Sequence, residues 1–102
     1  MRQIVLSQTG AGSSAAAPLD IHGRPEISLQ VVTTGTVTYT IEQTLDNPFD
    51  SSVTATWFPH PDTNLVSATS SKQGNYAYVP AAVRVTVNSG SGTARLTIIQ
   101  VK

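Results

Sequence analysis

The sequence contains no cysteine. That removes disulfides, zinc–thiolate centres and thiol nucleophiles together, and it suits a chain that folds in a reducing cytoplasm. Charge is the next shortage. Asp, Glu, Lys and Arg make up 12% of the 102 residues, about half of the roughly 25% usual in globular domains. They cancel to a net charge of zero with His neutral. A nucleic-acid partner calls for a basic patch, and this balance argues against one. A surface with few charges and no net charge resists self-association poorly, which suits a member of an assembly. No apolar run approaches a membrane span. Ile4-Val5-Leu6 is too short for the core of a signal peptide. Helical periodicity is missing too: no window repeats apolar residues at i, i+3, i+4 and i+7 over three turns.

Thr, Ser and Val fill the place of what is absent. β-Branched residues are stiff at χ1 and fit a pleated surface. Residues 36–44 alternate, with Val37, Tyr39 and Ile41 on one face and Thr38, Thr40 and Glu42 on the other, the signature of a half-buried strand. Val83, Val85 and Val87 form a second apolar row, and Leu96 and Ile98 a third. Asn88-Ser89-Gly90-Ser91-Gly92 between them predicts a turn, so 82–88 and 93–101 read as a hairpin. Further strands are expected at 2–7 and 27–33, the latter joined to 36–44 by Thr34-Gly35. Shorter ones are expected at 53–58 and 65–69, with edge strands at 19–21 and 77–79. The length fits one domain. The pattern predicts an all-β, two-sheet antiparallel β-sandwich, jelly-roll-like or immunoglobulin-like. Val37, Tyr39, Ile41, Trp57, Val83, Val85, Val87, Leu96 and Ile98 are expected to face inward. The Gly/Ser/Ala stretch at 10–17 sets residues 1–18 apart as an N-terminal strand and flexible arm, with a single sandwich domain at 19–102. Such an arm, carrying Arg2 and Ile4, could lie on a neighbouring subunit; equally it could return to the same sheet.

Chemistry-bearing residues are sparse and poorly grouped. His22 and His60 both sit beside glycine or proline in expected loops, and two histidines without cysteine do not make a zinc site. Asp46-Asn47-Pro48-Phe49-Asp50 has the carboxylates of a calcium loop, but it lacks the turn glycine and the distal glutamate. Asx side chains and Asn-Pro are also plain turn signals, and a turn is the better reading. There is no Gly-x-Ser-x-Gly elbow, and neither glycine-rich stretch leads into a lysine and a helix. No catalytic, cofactor or metal residue is assigned, and an enzyme is not expected.

The aromatic residues point to a surface. Neighbouring strand residues face opposite sides. With Trp57 sharing parity with Val53 and Ala55, Phe58 is left outside as a contact candidate. Tyr76 and Tyr78 share parity and could stack at an edge. Phe58, His60, Tyr76, Tyr78, Arg2 and Ile4 are therefore the candidate interface residues, aromatic anchors being enriched at interfaces.

The blocks from Thr34 to Glu42, Thr44-Leu45-Asp46-Asn47-Pro48, Trp57-Phe58-Pro59-His60, Gly74-Asn75-Tyr76-Ala77-Tyr78 and Ala82 to Gly92 occur in an order that resembles a family of small capsid-associated proteins. That family is encoded among the virion genes of tailed bacteriophages. The likeness spans roughly 27–100 and leaves the N-terminal part out. It implies a decoration or cement protein made in the host cytoplasm and carried on the capsid exterior. There it would bind the phage major capsid protein; the sparse, balanced charge adds the expectation that it also binds itself, as a dimer or trimer, with no nucleic acid and no membrane as partner. It assigns no binding residues. The competing expectations are a receptor- or glycan-binding β-module of a tail, spike or fibre, and a head–tail connector component.

Overall fold

The computed structural model describes residues 2–19, 27–76 and 79–100, and of Arg2 only the backbone. His22, Tyr78 and Val101 lie outside these residues, as do parts of the edge strands expected at 19–21 and 77–79. Nine strands are described: β1 (Arg2–Thr9), β2 (Gly12–Ser13), β3 (Ala17–Pro18), β4 (Ile27–Thr34), β5 (Val37–Thr44), β6 (Phe58–Pro59), β7 (Lys72–Tyr76), β8 (Ala82–Gly90) and β9 (Thr93–Gln100). A single 3₁₀ turn lies at Thr63–Leu65. The strands form two antiparallel sheets packed face to face. One has the order β1-β9-β4-β7, the other β2-β8-β5-β6, with β3 also on β8. The two-sheet sandwich expected from alternation is present.

The hairpin expected at 82–88 and 93–101 is not. β8 and β9 belong to different sheets, and so do β4 and β5. The apolar rows explain why. Val83, Val85 and Val87 face Leu96 and Ile98 across the core, and all five are buried. Placed side by side in one sheet, the two rows would each still need a cover; placed face to face, they cover each other. Turn residues report that the chain reverses, not whether it stays in its sheet.

Three connections make this crossing at one end of the sandwich: β1 to β2, β4 to β5, and β8 to β9. Thr93 pairs with both Thr9 and Thr34 in the first sheet. Beyond the bend, Gly90 pairs with Val37 and Val87 with Gly12. Hydrogen bonds bridge the bend itself, Gly10 N–H to Gly92 C=O at 3.1 Å and Gly92 N–H to Thr36 C=O at 2.9 Å. The architecture is thus a three-stranded antiparallel ribbon folded over on itself, with β6 and β7 added at its far edge. Glycine makes the fold-over possible. Gly90 has φ +100°, and a Cβ there would lie 2.4 Å from the Thr36 carbonyl oxygen, inside any real contact distance.

The N-terminal segment is part of the body. β1 pairs with β9 over all eight residues, and β2 and β3 pair with β8. Residues 15 and 16 together oppose Arg84 in a bulge, where the Ser14 hydroxyl accepts from Val85 N–H at 3.1 Å. The low-complexity stretch that suggests a flexible arm is thus an edge ladder: small side chains leave the backbone free to bend and still pair.

Of the inward-facing residues expected, all but Trp57 are buried. Residues 53–57 form no strand, so strand parity does not govern them, and the strands expected at 53–58 and 65–69 reduce to Phe58–Pro59 and an isolated bridge between Ala68 and Tyr39. β7 carries no apolar alternation to announce it. Its Gly74 instead gives room for the fully buried Leu65 of the 3₁₀ turn, whose Cδ1 lies 2.5 Å from where a Cβ would stand.

Candidate functional site

The excursion between β5 and β8 carries most of the polar and aromatic residues singled out above, and it divides into an inner and an outer part. The inner part holds His60 and Tyr76, both buried. Their ring centroids are 4.5 Å apart. His60 Nδ1 accepts from Asp62 N–H at 2.9 Å, so the proton sits on Nε2, which donates to the Asn75 carbonyl at 2.8 Å. Tyr76 donates its hydroxyl to Gln43 Oε1 at 2.8 Å, and Gln43 Nε2 donates to the Pro59 carbonyl at 3.2 Å. Burial holds the His60 imidazole below its ordinary pKa. His60 and Tyr76, expected as contact residues, therefore fasten the 59–76 excursion to β5 from within. The His60 ring points inward, a direction that neither composition nor parity announces.

The outer part holds apolar side chains in solvent. Leu45 is 74% exposed, Phe58 60%, Phe49 56% and Val53 38%. Leu45 and Phe58 line one groove with Gln43, Thr44, Asp46 and Thr56. The turn that carries Phe49 is rigidified by its own acidic and amide groups. Asn47 Oδ1 accepts from Phe49 N–H, Asp50 Oδ1 from Ser52 N–H and Oγ, and Asp46 Oδ2 from Thr56 N–H. The Ser52 hydrogen bonds lower the Asp50 pKa. These carboxylates serve turns, and among the described residues no three of His, Asp and Glu gather as a metal set. Phe58 is exposed as expected, although the strand parity that leads to it does not hold over 53–57; Leu45, Phe49 and Val53 are further exposed apolar residues, and they are not among those singled out above.

Trp57 is neither core nor free surface. Arg84 lies over its ring, 4.2 Å from the centroid, a cation–π contact. Arg84 Nε is 2.8 Å from Glu42 Oε1. The same oxygen accepts from Thr86 Oγ1 at 2.6 Å, and Thr86 shares a hydrogen bond with Ser13 at 2.9 Å. A polar row thus crosses the outer face of the second sheet, with the indole face occupied by its own chain. The outer face of the first sheet carries a groove lined mainly by Gln3, Ser28, Gln30, Gln73, Thr97 and Ile99. Ile4 and Leu6 are half-buried at the β1 edge, while Val5 beside them is 54% exposed.

Compared with family models, with curated proteins and with solved structures, the chain matches none.

Proposed function

We propose that this chain is a structural virion protein, a decoration or cement protein that binds the outer face of a phage capsid and stabilises the head. The observation that carries the reading is the groove lined by the exposed Leu45 and Phe58, with Phe49 and Val53 also exposed in the segment between them in sequence, in a chain with few charges. Apolar residues exposed together mark interaction sites. The ordered sequence blocks that resemble small capsid-associated proteins supply the kind of partner, the major capsid protein. Self-association as a small oligomer accords with the uncharged surface. Weak contacts repeated over many copies are enough for such a role.

A glycan-binding module would stack sugars on open aromatic faces. Trp57 is covered by Arg84 and Tyr76 is buried, and the groove on the first sheet contains no ring. Among the described residues the exposed rings are Phe58, which lines the groove with Leu45, and Phe49, so sugar stacking at that groove is the second reading. The test is binding to empty and expanded heads. The chain should associate and raise their resistance to heat, as any ligand of the assembled state must. Leu45→Ser with Phe58→Ser should lose most of this effect without loss of fold. Unchanged binding by the double variant would overturn the assignment of this surface.

A further inference from the structure

We infer that β1 is the seam of a twofold dimer, in which two copies pair their β1 strands antiparallel and join their first sheets into one of eight strands. This narrows the oligomer of the proposed function to a dimer and names its interface.

The edges of the two sheets are not alike. β6 is two residues long and contains Pro59. The β2–β3 edge is broken by a bulge and ends in Pro18. β7 has five residues, with Lys72 and Gly74 among them. These are the ordinary protections against edge-to-edge pairing. β1 has none of them. It is eight residues long, in unbroken register with β9, and without proline or any charge after Arg2. Among the described residues no strand pairs with its other side. Ile4 and Leu6 face the core from this edge but stay half-buried, whereas Ile98 and Leu96, opposite them on β9, are fully buried. The core is incompletely closed along this edge.

Symmetry decides what closes it. A twofold axis normal to the sheet keeps both inner faces on one side, so paired residues must share parity and one residue must meet its own copy. Centred on Val5, the pairs are Val5 with Val5, Ile4 with Leu6, Gln3 with Ser7 and Arg2 with Gln8. Apolar meets apolar throughout, polar meets polar, and no charge meets its like. Centred on Leu6, Ile4 would meet Gln8 and Val5 would meet Ser7; centred on Ile4, Leu6 would meet Arg2. Only the Val5 register is self-complementary, and it covers Ile4 and Leu6 while burying the exposed Val5 against itself. Directly opposite residues in antiparallel strands lie about 4.5–5.5 Å apart at Cα, within reach of a disulfide.

The test uses the full chain. It should sediment as a dimer at high concentration. Val5→Lys should make it a folded monomer whose melting temperature matches that of the unaltered chain at dilutions where that chain is also monomeric, and an equimolar mixture of Val5→Lys and Val5→Glu should restore the dimer. Val5→Cys, the single thiol in the chain, should cross-link to itself on mild oxidation, and Ser7→Cys, which faces Gln3, should not. A chain that stays monomeric, a trimer, or a dimer indifferent to Val5→Lys would overturn the inference. Capsid binding is read separately on heads, so loss of the seam leaves that proposal standing.

Discussion

Burial disfavours the charged form of His60 and outweighs the Asn75 carbonyl and the Asp62 carboxylate, which favour it. Its folded pKa is lowered from 6.5, so the folded state takes up its proton less readily than the unfolded state. The stability this contributes is full above about pH 6.5 and is lost as pH falls through the folded pKa. Melting temperature should therefore decline as pH drops below 6.5, before the carboxylates titrate. His60→Gln should be less stable at neutral pH and flatter in that window; an equally steep decline in the variant would refute the assignment. Val85, fully buried between the sheets, gives a second test. Val85→Asp places an unpaired charge in the core, a cost of several kcal/mol against a typical total of about 5–15 kcal/mol, and should unfold the domain. The exposed Ser28→Asp on the first sheet should shift stability by no more than about 0.5 kcal/mol. Similar melting curves for the two would mean that the faces are misassigned. Thr86→Asp, a mild change on alternation alone, sets a carboxylate beside Glu42 and should fall between them.

Among the elements, what was legible in the sequence was the face of three long strands, β5, β8 and β9. Val37, Tyr39 and Ile41, the three valines of β8, and Leu96 with Ile98 are buried as their two-residue period requires. What was not legible was which strands become neighbours. Gly35 and Gly90 signal reversal equally well for a hairpin and for a step between sheets, and only the need of two apolar rows to cover each other chooses the step. The excursion at 45–71 was harder still. Trp57 follows no strand period, and His60 is buried with backbone partners at Asp62 and Asn75 that no sequence pattern announces. The folded-over ribbon makes a direct prediction. Gly90→Ala meets the Thr36 carbonyl and must hold φ +100°, which should cost about 1–3 kcal/mol from backbone strain alone, and more if the Thr36 strand has to shift. Chemical denaturation of this variant beside an alanine substitution at Gly10, where a Cβ meets nothing within 4 Å, separates crowding from the positive φ that both glycines share. Equal losses would mean that the bend does not depend on close approach.

Taken whole, the described residues form a two-layer body in which several groups with chemical capacity are engaged by their own chain. Glu42 is held by Arg84 and Thr86, His60 by Asn75 and Asp62, and Asp46 and Asp50 by turns. What it offers outward is exposed apolar residues between β5 and β6, an open strand edge and polar faces of low net charge. Each is a modest contact that gains force through repetition, and that is the basis on which a role in a shell is proposed. The account therefore turns on how many copies a particle carries. Quantitative protein analysis of purified virions, calibrated against the major capsid protein, measures this directly. A decoration protein should be present in hundreds of copies spread over the head; a handful confined to the tail or a single vertex would contradict the account.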